Sequence, residues 1–126
     1  MYPMATPPRV LVAEDDPHHA GLLDMALKGA GWSVRLCEDG VQALVAVGND
    51  VPDAIVLDYR LPGGDGLEVL RRLRQNPGTR MVPIIMYSDD PEARDGLGHS
   101  PGTVLVAKSA GLGALMSRMT DILAMA

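Results

Sequence analysis

Acidic residues, a lysine and a serine occur in this chain at positions where they could act together. They follow successive short apolar runs, in the order Glu14 with Asp15, Asp58, Ser88 and Lys108. Crowded carboxylates repel one another, and a hard divalent cation such as Mg²⁺ relieves that repulsion. An aspartate beside a bound cation, an ammonium and a hydroxyl is what phosphoryl transfer to a carboxylate requires, because the transferred group carries negative charge on its oxygens. The set therefore predicts a phosphoryl-accepting site.

The elements that carry these residues alternate between β-branched apolar runs and segments of helical periodicity. The predicted strands are Arg9–Ala13, Ser33–Cys37, Ala54–Leu57, 83–87 and 103–107. Helical segments lie between them, so crossover connections would cover both faces of a five-stranded parallel sheet. Ligands in such sheets bind at the carboxyl ends of the strands, which meet at one edge. The sequence predicts a doubly wound α/β domain in which the acidic residues, the serine and the lysine lie at that edge.

Several helix boundaries have recognisable signals. Asp16 suits an N-cap and the following Pro17 suits the first helical position, while Asp39 and Ser109 are further predicted N-caps. The segment 91–99 is predicted to form a poor helix, because its two glycines each cost about 1 kcal/mol relative to alanine.

Two of the predicted helices have apolar residues that indicate an inward face. Val41, Leu44 and Val45, with Val47 as a further candidate, recur at helical spacing after Asp39. Near the end of the chain the same spacing is shown by Leu112, Leu115, Met116, Met119, Ile122 and Leu123. We expect these side chains to face the sheet.

Composition excludes several classes of protein. The 126 residues are 47% hydrophobic with a net charge of −5, which argues against direct binding to nucleic acid because such binding needs a basic surface. The single Cys37 excludes an internal disulfide and a cysteine metal cage. We find no signal peptide or membrane span and expect a cytoplasmic protein. Residues 1–8 contain three prolines and are predicted to be a disordered leader before the domain 9–126.

The chain from residue 9 to 126 resembles the receiver domains of bacterial two-component response regulators. The resemblance rests on segment 10–17, on Asp58 with the turn-rich loop 61–66, on Ser88 and on Lys108. It implies a flavodoxin-like fold with strand order 2-1-3-4-5 and helices on both faces. It also implies a phospho-accepting signalling domain that switches the binding of a partner.

The resemblance also implies the roles of the acidic residues. Asp58 would be the phosphoacceptor, attacking the phosphorus of a phosphohistidine. Asp15 and Asp58 would be direct Mg²⁺ ligands, the backbone carbonyl of Arg60 a third, and Glu14 would act through a metal-bound water. Asp16 is the spare acid of the triplet, and we favour the capping role for it over a modulating role in the site.

Two further residues would handle the phosphoryl group. Lys108 would pair with its oxygens as a charge-assisted donor, and Ser88 would swing toward it as the switch hydroxyl.

Three positions depart from the family pattern. The switch position three residues before the lysine, usually aromatic, is Leu105, so the usual inward turn of a ring cannot occur. Lys108 is normally followed by a proline after a cis peptide bond, but here Ser109 follows, and we expect a trans bond. Asp89 stands where a small residue is usual, and its charge could hinder a phosphodonor.

The implied partners are a sensor histidine kinase or histidine phosphotransfer protein, a downstream protein target and, left open, a second copy of the chain as a homodimer. Unusual partner recognition is expected at the glycine-rich segment between Ser88 and Thr103, which is predicted to be irregular or mobile.

No enzyme activity is expected beyond weak self-phosphorylation and self-dephosphorylation. The alternative is a pseudo-receiver that binds proteins without phosphorylation. A dehalogenase-type phosphatase is disfavoured, since Arg60 stands where it needs a second acid.

Overall fold

The computed structural model describes residues 6–63, 65–98 and 100–124, which contain a single five-stranded sheet. All neighbouring strands run parallel, in the order β2-β1-β3-β4-β5. The strands are β1 Arg9–Ala13, β2 Ser33–Cys37, β3 Ala54–Leu57, β4 Ile84–Tyr87 and β5 Thr103–Val106. The predicted fold class and strand order are confirmed, and β4 and β5 are each one residue shorter than predicted.

Within these described residues, five α-helices cover both faces of the sheet. They are α1 Pro17–Gly29, α2 Gly40–Asn49, α3 Gly66–Gln75, α4 Pro91–Leu97 and α5 Leu112–Ala124. Helices α1 and α5 pack on one face, and α2, α3 and α4 pack on the other. In the described ranges, no helix combines the length and the apolar character that crossing a membrane requires.

Strand β1 is buried on both faces, as its unbroken apolar run predicts. Leu11 and Ala13 belong to the core cluster under α2 and α3, while Val10 and Val12 belong to the cluster under α1 and α5. Each burial of a valine or leucine side chain stabilises the fold by about 1.5–3 kcal/mol. The first strand therefore joins the two halves of the core and fixes the position of the residues that follow it.

Side chains that cap helices set where the elements around the site begin. The Asp16 carboxylate accepts from the His18 N–H at 3.1 Å, and the Asp39 carboxylate accepts from the Gln42 N–H at 2.7 Å, so both predicted caps are confirmed. Asp90 caps α4 in the same way, ahead of Pro91. The Asp-Pro pair at the start of α4 repeats the signal at the start of α1, and it could have been recognised in the sequence.

The start of the last helix differs from the prediction. Ser109 is not its N-cap but lies in a 3-10 turn, Lys108–Ala110, and α5 begins only at Leu112. Gly111 separates the two with φ +91°, a conformation that glycine adopts without steric cost.

The inward face of α2 agrees only in part with the prediction, because Val47 is buried and Leu44 packs against the core as expected, but two of the predicted residues face solvent. Val41 and Val45 are 59% and 58% exposed, whereas Ala43, Ala46 and Val47 are buried. The alanines allow the helix to approach the sheet closely, and the larger valines then fall on the solvent side. The prediction followed the bulkier apolar residues, so it included two exposed valines and passed over the two alanines that this close approach requires.

Helix α4 forms despite its glycines. A Cβ at Gly96 would overlap the Leu67 side chain of α3, so this glycine permits the two helices to pack closely. Pro91–Leu97 is thus a short helix, and the mobility expected for this face stays a prediction.

Some predictions fall on residues 1–5, 64, 99 and 125–126, which lie outside the described residues. The leader prediction falls mostly there. The carbonyl of Pro8, also assigned to the leader, accepts a hydrogen bond from the Ser33 N–H at 2.9 Å.

Candidate functional site

Two adjacent strands deliver carboxylates to the same edge of the sheet. Ala13 lies opposite Leu57 in the β1–β3 register, so the next residues, Glu14 and Asp58, emerge side by side. The Asp58 N–H donates to the Ala13 carbonyl at 3.0 Å, which continues the ladder into the site. Glu14 is 4% exposed and Asp58 is 8% exposed. Both acids therefore lie on backbone that directly continues the strands of the sheet.

Lys108 brings a positive charge to these two acids from the far side of the sheet. Its Nζ donates to Glu14 Oε2 at 2.9 Å and to Asp58 Oδ2 at 3.1 Å. Lys108 begins the 3-10 turn two residues after the end of β5, so the contact depends on the assembly of the whole sheet. The predicted convergence of the first, third and fifth strand ends is thus observed.

The acidic cluster remains more negative than Lys108 can balance. Glu14, Asp15 and Asp58 each offer a carboxylate oxygen, and these oxygens lie within 4.8 Å of one another. Three carboxylates against one ammonium leave two formal negative charges when all are ionised. Oxygen-only ligands with this excess charge are what Mg²⁺ binds, so these residues fit that ion.

The proton affinities of the paired residues reflect this crowding. Burial, supported by the charge of Asp58, raises the pKa of Glu14 against the opposing hydrogen bond from Lys108. Burial disfavours the charged form of Lys108, but the hydrogen bond to Glu14 and the charge of Asp58 outweigh it and raise its pKa. Lys108 therefore stays an ammonium and a hydrogen-bond donor at neutral pH.

Backbone N–H groups hold the remaining oxygens of the buried acids. The Asp16 N–H donates to Glu14 Oε1 at 3.2 Å, and the Tyr59 N–H donates to Asp58 Oδ1 at 2.7 Å. Asp15 is exposed instead, beside an open pocket of about 400 Å³ that Arg60 also lines. The role of the Arg60 carbonyl as a metal ligand stays a prediction.

The Arg60 side chain has partners that the sequence analysis missed. Its Nε donates to Asp90 Oδ2 at 2.6 Å, and its guanidinium lies 5.4 Å from the centroid of the Tyr59 ring. The Tyr59 hydroxyl donates to Glu92 Oε2 at 3.0 Å. These contacts link the loop after Asp58 to the first turn of α4. No motif predicted them, because they depend on where α4 packs.

Ser88 follows β4 at the same edge and is 6% exposed. Its N–H donates to the Val106 carbonyl at 3.1 Å, and its hydroxyl oxygen accepts from the Asp90 N–H at 3.0 Å. The hydroxyl is thus held by the start of α4, and its predicted swing toward a phosphoryl group stays a prediction.

The three atypical positions lie together beside Ser88. Leu105 is partly buried against the core and lines an open groove of about 430 Å³ with Asp89 and Ser109. The Lys108–Ser109 bond is trans as expected, since no cis peptide occurs in the described part of the chain. Asp89 Oδ1 accepts a hydrogen bond from the Ser109 N–H at 2.9 Å, a contact that the sequence analysis did not foresee.

The fold and the site together define a class of protein, a flavodoxin-like α/β domain with an acidic pocket and a lysine at its carboxyl edge. The family described as response regulator receiver domain matches residues 10–118. The chain therefore belongs to the response regulator receiver domains, the family that its motifs resemble.

Curated relatives extend beyond this domain. The DNA-binding response regulator MtrA of Mycolicibacterium smegmatis (strain ATCC 700084 / mc(2)155) is 41% identical over 87 residues, which cover 69% of this chain and 37% of that protein. The chain thus spans little more than a third of this relative. The prediction that the chain does not bind nucleic acid directly is only partly compatible with a DNA-binding relative, and it stays a prediction.

Solved structures share the fold along nearly the whole chain. A putative response regulator from Chloroflexus aurantiacus J-10-fl is 34% identical with a TM-score of 0.86, covering 94% of this chain and 99% of that one. The response regulator TrrA from Thermotoga maritima, in complex with Mg(2+)-BeF, is 26% identical with a TM-score of 0.81, covering 91% of this chain and 98% of that one.

Proposed function

We propose that this domain accepts a phosphoryl group on Asp58 from a phosphohistidine donor and thereby changes how it binds a partner. The observation that carries the proposal is the contact of Lys108 Nζ with both Glu14 and Asp58. A structural salt bridge needs only one acid, whereas an ammonium shared between two carboxylates beside a third is suited to an incoming anion.

The transfer step is a displacement at phosphorus. A carboxylate oxygen of Asp58 forms a bond to phosphorus while the phosphorus–nitrogen bond breaks, and the imidazole leaves with the electron pair and takes up a proton. The Lys108 ammonium pairs with the phosphoryl oxygens, exchanging its contacts to the two acids for contacts to the new anion. The backbone N–H of Tyr59 holds Asp58 Oδ1 and fixes the orientation of the carboxylate.

Mg²⁺ is the proposed cofactor of this site. Asp15 and Asp58 would hold it directly and Glu14 through water, and the ion supplies positive charge that neutralises the phosphoryl oxygens. TrrA, in complex with Mg(2+)-BeF, supports the ion type for this family.

The proposed partners follow from this chemistry. A sensor histidine kinase or histidine phosphotransfer protein in the cytoplasm would donate the phosphoryl group, and a downstream protein would read the phosphorylated state. Beyond weak self-phosphorylation and self-dephosphorylation, we propose no enzyme activity.

A phosphorylation-independent binding module is the second candidate. The specific observation in its favour is that Ser88 Oγ is already hydrogen-bonded to the Asp90 N–H, while Leu105 cannot supply an aromatic switch. In that case the acidic pocket would be present, but Asp58 would never be phosphorylated.

Intact mass after incubation with Mg²⁺ and acetyl phosphate distinguishes the two candidates. We expect one phosphate adduct that is labile to hydroxylamine. It should not form when EDTA is present during the incubation, and Asp58→Asn should abolish it. Asp121→Asn, an exposed position on α5, is the matched control and should be labelled like the wild type. A wild type that takes up no phosphate would favour the second candidate.

A further inference from the structure

We propose that Asp89 is a positioning residue that holds Lys108 in place through the N–H of Ser109. The inference rests on the proposed function and concerns the two residues that depart from the family pattern next to the site. Taken alone, each departure replaces a residue that is usual in the family's site. In the structure, however, one hydrogen bond joins Asp89 to Ser109.

The bond links two loops that belong to neighbouring strands. Asp89 Oδ1 accepts from the Ser109 N–H at 2.9 Å, and the two loops follow β4 and β5. A proline has no N–H to donate, so this contact is available only because a non-proline residue follows Lys108. In a trans turn without proline, the hydrogen bond takes over the task of fixing the loop.

The turn that carries Lys108 has little else to fix it to the neighbouring loop. Its backbone bonds are internal, from Ala110 N–H to the Ala107 carbonyl and from Gly111 N–H to the Lys108 carbonyl, both at 3.0 Å. Within this 3-10 turn, no side chain caps the first residue. The Ser109 N–H is therefore the backbone group that ties the turn to the loop after Ser88.

Fixing the turn fixes the ammonium. Lys108 reaches across the edge of the sheet to Glu14 Oε2 and Asp58 Oδ2, and its Nζ lies 5.9 Å from the centroid of the Tyr87 ring. A shift of the turn by one ångström would remove the double contact, and misplacement on that scale reduces the rate of a positioned reaction by up to about 100-fold.

The charge state of Asp89 agrees with this role. Hydrogen bonds from Ser109, chiefly from its N–H and secondarily from its hydroxyl, lower the pKa of Asp89. The carboxylate thus remains ionised and an acceptor throughout the neutral range. Because one oxygen is engaged by the turn, Asp89 acts as a tether and not simply as a repulsive charge at the entrance.

Matched variants separate the tether from the side chains that form it. Asp89→Ala removes the acceptor and Ser109→Pro removes the donor, while Asp89→Asn and Ser109→Ala keep an acceptor oxygen and the N–H. We expect the first two to lower the maximal rate of phosphorylation by acetyl phosphate about tenfold. The second two should stay within about twofold of the wild type. The double variant Asp89→Ala/Ser109→Pro should be no slower than either single variant, because both remove the same bond.

A second measurement does not depend on phosphorylation. In the wild type and in Ser109→Ala, NMR should show slow exchange of the residue 109 amide and a contact between the Lys108 methylenes and the Tyr87 ring. Asp89→Ala should lose both. Additive rate losses in the double variant, a Ser109→Ala variant as slow as Ser109→Pro, or an unchanged Lys108–Tyr87 contact in Asp89→Ala would overturn the proposal. If the wild type takes up no phosphate, the proposed function fails while the NMR comparison still decides whether Asp89 positions Lys108.

Discussion

Gly66 packs directly on the backbone of the proposed phosphoacceptor. A Cβ at this position would overlap the carbonyl oxygen of Asp58, and the Gly66 N–H donates to the Tyr59 carbonyl at 2.6 Å. The last glycine of the loop after Asp58 is thus required by close approach of two backbone segments. It sets how α3 starts and how Asp58 is held.

Replacing this glycine tests the contact at the scale of one residue. Gly66→Ala must displace the Asp58 backbone, so we expect a loss of about 1–3 kcal/mol in the free energy of unfolding and a drop of about tenfold or more in phosphorylation. Urea unfolding and intact mass measure the two effects.

The control for this change is Gly21→Ala on α1, where an added Cβ meets no atom within 4 Å. It should be unchanged or more stable by up to about 1 kcal/mol, as alanine favours a helix. Equal stability and labelling of Gly66→Ala and the wild type would contradict the steric account.

At this scale the sequence predicted much of the site but not all of it. Glu14, Asp58 and Lys108 could be assigned to one edge because each directly or closely follows a recognisable strand. The Tyr59–Glu92 and Asp89–Ser109 hydrogen bonds could not be predicted, because they join loops whose relative position depends on how α4 and the last turn pack.

Among the elements, α2 shows how helix packing overrides a simple apolar pattern. Its buried face combines Ala43, Ala46 and Val47, while Val41 and Val45 face solvent. Small residues let the helix axis approach the sheet, and that approach decides which side chains become buried.

A pair of valines on this helix provides a direct test. Val47→Ala removes buried methyl groups from the core and should lower the free energy of unfolding by about 1–3 kcal/mol. Val45→Ala, the matched change on the exposed side, should alter it by no more than about 0.5 kcal/mol. Urea denaturation of both variants gives the comparison. Similar losses for the two would mean that α2 is rotated so that Val45 is buried as well.

The strands were predicted more accurately than the helix faces for a physical reason. A central parallel strand is buried on both sides, so an unbroken apolar run identifies it without any decision about orientation. A helix needs the correct phase as well, and the buried face of α2 includes the small residues Ala43 and Ala46, which an apolar pattern weighted by size passes over. How closely the helix approaches the sheet could not be derived from the sequence.

For the molecule as a whole, the solvent accessibility of the Cys37 thiol reports whether the fold stays intact at the β2 edge of the sheet. Cys37 ends β2, is 3% exposed, and burial raises the pKa of its thiol. Such a thiol reacts only when the molecule opens. Its reactivity therefore measures opening of the fold at this edge.

We expect an aromatic disulfide reagent at pH 8 to modify Cys37 at least about 100-fold more slowly in the folded protein than in urea. The control is Cys37→Ala/Ser33→Cys, which moves the thiol to an exposed position on the same strand. That thiol should react quickly in the folded state. Comparable rates for the two thiols would show that the β2 edge is open in solution.

The salt bridge between Lys108 and Glu14 joins residues 94 positions apart in the chain. During synthesis, the carboxylates leave the ribosome long before the ammonium that they require. On the proposed function, a nascent chain cannot be charged with phosphate until residue 108 has emerged and β5 has docked. A sensor kinase would then transfer phosphate only to chains in which the fifth strand has already joined the sheet.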